Sequence, residues 1–251
     1  MAILWQRSIN GRQYEVRSAG NTRRLYTDGV FHSQFNPRNP LCGGVWDLLL
    51  LPALFSSSGA IQRVLVLGVG GGAVIHQLAR HVTPREIVGI ELNPVHLTIA
   101  RRFFGLARRN VALVQADARR WLRDYDGPPF DLIIDDLYGE QDGEPLRAVA
   151  ANAPWFTLLH RRLSAHGTLV FNFVSRDALR RCGYFVDRRV SRRFRSAWQF
   201  TTPLHENRVA AFLRGESYAR VLRNNLKAAP GLGNALATGR LRYCARAMRP
   251  V

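Results

Sequence analysis

The stretch Val64-Leu65-Val66-Leu67-Gly68-Val69-Gly70-Gly71-Gly72-Ala73 decides how the rest of the chain is read. Its four leading apolar residues suit a short strand buried on both faces. The glycines that follow allow a tight turn and a close backbone approach to a ligand. A helix predicted over about Ala73 to His81 would then offer its free N–H groups to a polar ligand. A glycine run alone is weak evidence of a ligand turn. Between a buried strand and a helix it is much stronger.

Outward from this turn, strands and helices alternate. Glu86 to Ile90 reads as the next strand, and Asn93-Pro94 opens a helix with Asn93 as N-cap and Pro94 in its first position. Val111 to Val114 is a third strand, Ala118 to Asp124 a helix, and Phe130 to Ile134 a fourth strand. Trp155 to Leu163 reads as a helix and Gly167 to Phe171 as a fifth strand. Arg208 to Phe212 is a late antiparallel strand, Ser217 to Lys227 a last helix, and the Pro/Gly/Arg-rich tail after Ala229 is expected to be loosely held. Strands and helices at this spacing predict an α/β fold with a doubly wound, largely parallel sheet. Upstream, Arg12 to Arg17 and Arg24 to Thr27 alternate apolar and polar residues, with turn signals at Ser18-Ala19-Gly20-Asn21 and Asp28-Gly29. A short helix is expected over Val45 to Phe55. The chain therefore divides into a small antiparallel β region, 1–60, and a nucleotide-binding region, 61–251.

With 251 residues, 47% of them hydrophobic, the chain can bury a substantial core. The apolar run Leu48 to Phe55 is far too short to span a bilayer. No charged-then-apolar leader opens the chain, and Cys42, Cys182 and Cys244 make neither a disulfide framework nor a metal knuckle. No membrane and no metal are expected, and a reducing cytoplasm is the expected home. The net charge is +18, and Lys227 is the only lysine. Arginine doublets such as Arg101-Arg102, Arg119-Arg120 and Arg192-Arg193 read mostly as solvated helix faces. A bias so strong against lysine also looks like genomic base composition. A weak anionic partner on the arginine-rich surface, best placed at Arg188 to Arg195, stands beside that reading.

In a parallel sheet, ligands sit beyond the carboxyl ends of the strands. Glu91 ends the second strand, 19 residues beyond Gly72, where an acid can accept ribose hydroxyls. Its plainer role is a surface or capping acid. Asp117 follows the third strand, placed to accept from an adenine amino group, to cap the helix at Ala118, or both. Asp135-Asp136 ends the fourth strand. Two adjacent acids are costly to bury without a cation, and alternation lets only one of them face the site. Tyr138, and Asn172 after the fifth strand, are candidates to line an acceptor pocket. His32 and Gln34 are candidates for a lid, or plain loop residues.

These residues together resemble the spermidine synthase-like family on the class I methyltransferase fold. The resemblance runs from about Tyr14 to Phe212. It is strongest over Arg63 to Val174, and it includes Leu25-Tyr26-Thr27-Asp28-Gly29-Val30, Val66-Leu67-Gly68-Val69-Gly70-Gly71-Gly72, Ile90-Glu91-Leu92-Asn93-Pro94, Ala116-Asp117-Ala118, Phe130-Asp131-Leu132-Ile133-Ile134-Asp135-Asp136 and Leu169-Val170-Phe171-Asn172-Phe173. It implies an S-adenosylmethionine-type donor held by Gly68, Gly70, Gly71, Gly72, Glu91, Leu92, Asp117 and Ala118. It also implies Asp136 as the acid at the reaction centre, an amine acceptor (small molecule or protein), and a homodimer. Two departures bear on the donor. Polyamine synthases carry an aspartate where Gly71 stands, suited to the bare ammonium of decarboxylated S-adenosylmethionine. Their second acid falls on Gly139 here. On that basis methyl transfer from S-adenosylmethionine is the expected reaction, as in the methyltransferases of this fold. Aminopropyl transfer from the decarboxylated donor is the alternative, and a non-catalytic RNA- or protein-binding module is the second.

Overall fold

The computed structural model describes residues 1–141 and 144–250. The chain opens with a four-stranded antiparallel meander: β1 (Ala2–Ile9), β2 (Arg12–Ala19), β3 (Thr22–Thr27) and β4 (Val30–Phe35). Two of its turns run through the left-handed region at Asn10-Gly11 and Asp28-Gly29, as tight hairpins require. One face of the meander packs Tyr14, Val16 and Leu25 against Ile99 and Phe104 of the next region. Helix α1 (Val45–Leu50) follows. The expected single helix to Phe55 instead tightens into a 3₁₀ turn over Leu51–Phe55, with Pro52 in its first turn. A proline there breaks the α-helical hydrogen-bond ladder.

The main sheet then forms from β5 (Arg63–Leu67), α2 (Ala73–His81), β6 (Glu86–Glu91), α3 (Pro94–Arg102), β7 (Val111–Gln115), α4 (Ala118–Asp124) and β8 (Phe130–Asp135). Two short strands, β9 (Tyr138–Gln141) and β10 (Glu144–Arg147), pair with each other outside it. There follow α5 (Ala153–Arg161), β11 (Leu163–Phe173), three short helices α6 (Arg176–Arg180), α7 (Gly183–Val186) and α8 (Arg188–Ser191), then β12 (Ser196–Thr202) and β13 (His205–Leu213). Helices α9 (Ala219–Ala228) and α10 (Leu232–Ala237) and strand β14 (Cys244–Ala247) complete the chain.

The eight-stranded order is β14-β12-β13-β11-β8-β5-β6-β7. Strands β7, β6, β5, β8 and β11 are parallel, and β13, β12 and β14 add an antiparallel edge. The chain starts at β5 and winds outward both ways, so the switch point lies between β5 and β8. Ligands of doubly wound sheets bind there. One core, with Leu48 to Leu51, Val64, Val66, Leu222 and Leu232, fills the face under α1, α2, α9 and α10. The other, with Leu65, Leu67, Phe156, Phe171, Phe212 and Val190, fills the face under α4 to α8.

The tail after Ala229 is held, contrary to expectation. Leu232, Ala235 and Leu241 are buried in the first core, and β14 pairs with β12 from Trp198↔Ala247 to Thr201↔Cys244.

Candidate active site at the switch point

The glycine turn lies against Asp136. Gly68 has φ +85°, and a Cβ there would run into the Asp136 carbonyl. The crossing is fixed by Gly68 N–H donating to the Ile90 carbonyl and Asp136 N–H donating to the Leu67 carbonyl, both at 2.9 Å. Only glycine combines this φ with so close an approach. Gly70 faces the backbone of His32, and Gly72 caps α2. At Gly71 a Cβ would sit 2.8 Å from the Phe104 ring and 2.9 Å from Ser33 Cβ. Glycine at 71 is therefore a packing requirement, because strand β4 and Phe104 fill the space where a side chain would start.

Glu91 ends β6 and turns back onto the turn. Its Oε2 accepts from Val69 N–H at 3.1 Å and Gly70 N–H at 2.9 Å, and its Oε1 accepts from Asn93 N–H at 2.9 Å. Three of about four acceptor positions of a carboxylate are thus filled by backbone. Accepting both hydroxyls of a ribose requires one of these bonds to give way. His96 approaches Glu91 at 4.0 Å while bonding Thr27 Oγ1 at 2.9 Å. Burial pushes the imidazole down to about 4, so it is neutral at pH 7 and the contact is not an ion pair. Leu92, next along, is 66% exposed. So large an apolar side chain left open at a strand end is a surface on which a flat base could lie.

Asp117 caps α4: its Oδ1 accepts from Arg119 and Arg120 N–H, and its Oδ2 pairs with Arg119 at 2.9 Å. The Arg119 guanidinium holds its carboxyl down at about 2. The adjacent Ala118 is buried in the second core.

The two acids at the end of β8 point to opposite sides of the sheet. Asp135 is fully buried, gripped by both guanidinium contacts of Arg147 (2.9 and 3.0 Å) and by the Trp155 indole N–H (2.6 Å). The cation that a buried acid pair demands is thus supplied, for Asp135, by the chain itself. Asp136 is partly buried on the other side, accepting from Asn172 Nδ2 at 2.9 Å. Burial, opposed by the Asn172 bond, raises its carboxyl to about 6. Asn172 is itself fixed: Asn207 Nδ2 donates to its Oδ1 at 3.0 Å, and Tyr138 Oη and Arg147 both donate to its carbonyl at 2.8 Å. Burial pushes the Tyr138 phenol well above its ordinary value, so it stays a donor.

The lid candidates divide. His32 lies 5.0 Å from His96, ring centre to ring centre, with its Nε2 buried and unpartnered among the described residues. Burial pushes it down to about 4. Gln34 instead donates to the Cys42 carbonyl at 3.1 Å, pinning the loop before α1. Sequence reasoning missed Arg147, Trp155 and Asn207. Arg147 lies in a segment without helical or strand periodicity, and Trp155 reads only as the start of a helix.

Residues 64–153 match a methyltransferase domain family. The chain is 31% identical over 176 residues to the polyamine aminopropyltransferase of Mycobacterium tuberculosis, covering 67% of this chain and 32% of that protein. It is 29% identical over 106 residues to polyamine aminopropyltransferase 2 of Caldanaerobacter subterraneus subsp. tengcongensis, covering 41% of this chain and 35% of that one. The chain thus spans about a third of the length of these curated relatives. Among solved structures, spermidine synthase from Thermotoga maritima superposes with a TM-score of 0.66 at 14% identity, over 88% of this chain and 75% of that one. That likeness establishes the fold.

These findings overturn the preference for methyl transfer, because the relatives are named for aminopropyl transfer. The structure supplies the physical reason the preference failed. It rested on Gly71 and Gly139, and at Gly71 the packing of Phe104 and Ser33 leaves no room for a side chain, whatever the donor.

Proposed function

Because this chain belongs to the spermidine synthase-like family on the class I methyltransferase fold, we propose that it is an aminopropyltransferase. It moves the aminopropyl arm of decarboxylated S-adenosylmethionine to an amine. The observation that carries the reading is the Gly68–Asp136 crossing, which sets a donor turn directly beside a partly buried acid. In this reading residues 61–251 hold the donor: the glycine turn lies along it, Leu92 and Ala118 border the base, and Glu91 and Asp117 accept from ribose and adenine. Asp136 orients the amine and takes its proton. The amine nitrogen bonds to the propyl carbon, the carbon–sulfur bond breaks, and its electron pair stays with sulfur as methylthioadenosine leaves. Positioning of donor and acceptor supplies much of the rate in such a displacement. Asn172 and Tyr138 keep the acid in place, and His32 borders the turn from above.

The test is incubation with the decarboxylated donor and a diamine, followed by mass spectrometry. Methylthioadenosine and a mono-aminopropylated amine are expected in equal amounts. If neither forms with any of a panel of diamines and triamines, while calorimetry shows that the donor binds, aminopropyl transfer is the wrong reaction.

A further inference from the structure

Asp47 is a buried acid that the proposed chemistry does not use. It stands in the first turn of α1, where the helix dipole favours an acid. Such acids ordinarily stay at the surface, yet Asp47 is only 2% exposed. Among the described residues it makes no ion pair within 4 Å. Burial raises its carboxyl, so the ionised group is held there at a cost. What it holds is a loop. Its Oδ1 accepts from Cys42 N–H at 3.1 Å and from Gln77 Nε2 at 2.6 Å, and its Oδ2 accepts from Gly43 N–H at 2.9 Å. Gln77, fully buried on α2, also donates to the Pro40 carbonyl at 3.0 Å. With Gln34 of β4 on the Cys42 carbonyl, loop 40–44 is tied to two elements of the donor turn's surroundings.

The loop stands beside the acid's supports. Helix α1 packs against β11, β12 and β13, with Leu48 to Leu51 sharing one core with Val170, Val209 and Ala211. Asn172 of β11 and Asn207 of β13 lie on the same strands, and they are the residues that hold Asp136 in place. Gly43, at φ +72°, faces the β12–β13 turn: a Cβ built on it would be 3.9 Å from Leu204. Leu204 precedes Asn207 by three residues and is half exposed. On its other flank the loop is bound through Gln77 to α2, the helix that the glycine turn opens. One carboxylate therefore fixes a segment that reaches from the donor helix to the turn beside the acceptor residues.

We propose that Asp47 is a positioning residue for the acceptor: by holding the Cys42 and Gly43 amides it sets loop 40–44 as the wall that places the amine beside Asp136. The inference rests on the reaction proposed above. The need for an acid, and not an amide, follows from counting acceptors. A carboxylate has two acceptor oxygens and a carboxamide has one. With asparagine at 47, the single oxygen keeps Gln77 and Cys42, and the new NH₂ group faces the Gly43 N–H, donor against donor. The loop is then released at Gly43. The same change removes the charge that burial penalises, so the fold as a whole loses little. Asp47→Asn thus separates the two roles of this side chain: overall stability is nearly kept while the wall is loosened.

The test is calorimetry of 1,4-diaminobutane binding in the presence of methylthioadenosine, the proposed leaving product, so that no turnover is needed. Asp47→Asn should weaken amine binding at least about tenfold, the scale of one lost hydrogen bond to a charged group, and leave methylthioadenosine affinity within about twofold. Amide hydrogen exchange at Gly43 should quicken in the same variant. Asp131→Asn is the control. Asp131 Oδ2 also accepts two backbone N–H groups, from Gln62 at 2.9 Å and Arg63 at 3.0 Å, but near the start of β8, at the opposite end of the sheet. It should change amine affinity less than about twofold. Gln34→Ala unties the loop from β4 without touching a buried charge, and should weaken amine binding about two- to tenfold. The proposal is overturned if amine affinity is unchanged in Asp47→Asn or, should that variant not fold, in Gln34→Ala. An equal loss in Asp131→Asn, or no amine binding by the wild type, overturns it too. Wild-type protein that binds both ligands yet forms no product condemns the proposed reaction instead, and the calorimetry still decides the role of Asp47.

Discussion

Asp135 and Asp136 are neighbours in sequence, yet they occupy two different kinds of site. On the α5 side, Asp135 is sealed, ion-paired to Arg147 and bonded to Trp155, with no capacity for anything that arrives from outside. On the other side, Asp136 is partly open, holds the neutral donor Asn172 and has its carboxyl raised to about 6. Strand alternation made the separation, and the added arginine made it useful. A fully paired acid is structural, whereas an acid left with a raised affinity for a proton is fit for proton transfer. In the proposed reading, chemistry and architecture are thus divided between the last residue of β8 and the one after it.

The hardest way to break this division is Asp136→Asn. Turnover should fall by about 10² to 10⁴, the usual range for losing a general base, while donor affinity by calorimetry stays within about twofold. Full turnover in that variant would mean the acid is on the wrong residue. On the sealed side the effect should appear in stability instead. Arg147→Met leaves Asp135 buried and unpaired, and should cost about 3 to 5 kcal/mol in chemical denaturation. The double change Asp135→Asn with Arg147→Met should be milder than Arg147→Met alone, since no bare charge remains. Trp155→Phe removes one donor to a charged acceptor and should cost about 1.5 to 3 kcal/mol.

The smallest effect is a matter of pH. Asp136 must be ionised to take a proton, so kcat/KM should rise as pH climbs through about 6. The Asn172 bond favours the ionised form and therefore holds that value down. Asn172→Ala should move the acidic limb to higher pH. A limb that stays in place would show that the titrating group is not Asp136.

The parallel half of the sheet was legible because each of its strands is a short apolar run closed by a turn or a cap. Asn93 accepting from Val95 N–H, with Pro94 behind it, is as local a signal as a sequence holds. The candidate site was legible where it follows strand ends, at Gly68, Glu91, Asp117 and Asp136. Partnership across space was not. Nothing around Arg147 announces that it reaches back twelve residues to Asp135, because β9 and β10 have no periodic pattern to place them. The tail misled for a related reason. Its glycines and arginines read as loose, while three well-spaced apolar residues, Leu232, Ala235 and Leu241, were enough to anchor it. Gly71 misled in the opposite sense: a missing side chain was given a chemical meaning when its cause was steric.

The crossing of Gly68 over Asp136 has a mechanical consequence. Two peptide segments that touch through backbone, each bonded to the neighbouring strand, move as one bracket. Thermal motion of the outer loops can change how fast molecules enter and leave, but it leaves the alignment between cradle and acid almost untouched. A laboratory wishing to retool this scaffold in the proposed reading would redraw the acceptor side around Asn172 and Tyr138, which hold the acid, and would keep position 68 without a side chain.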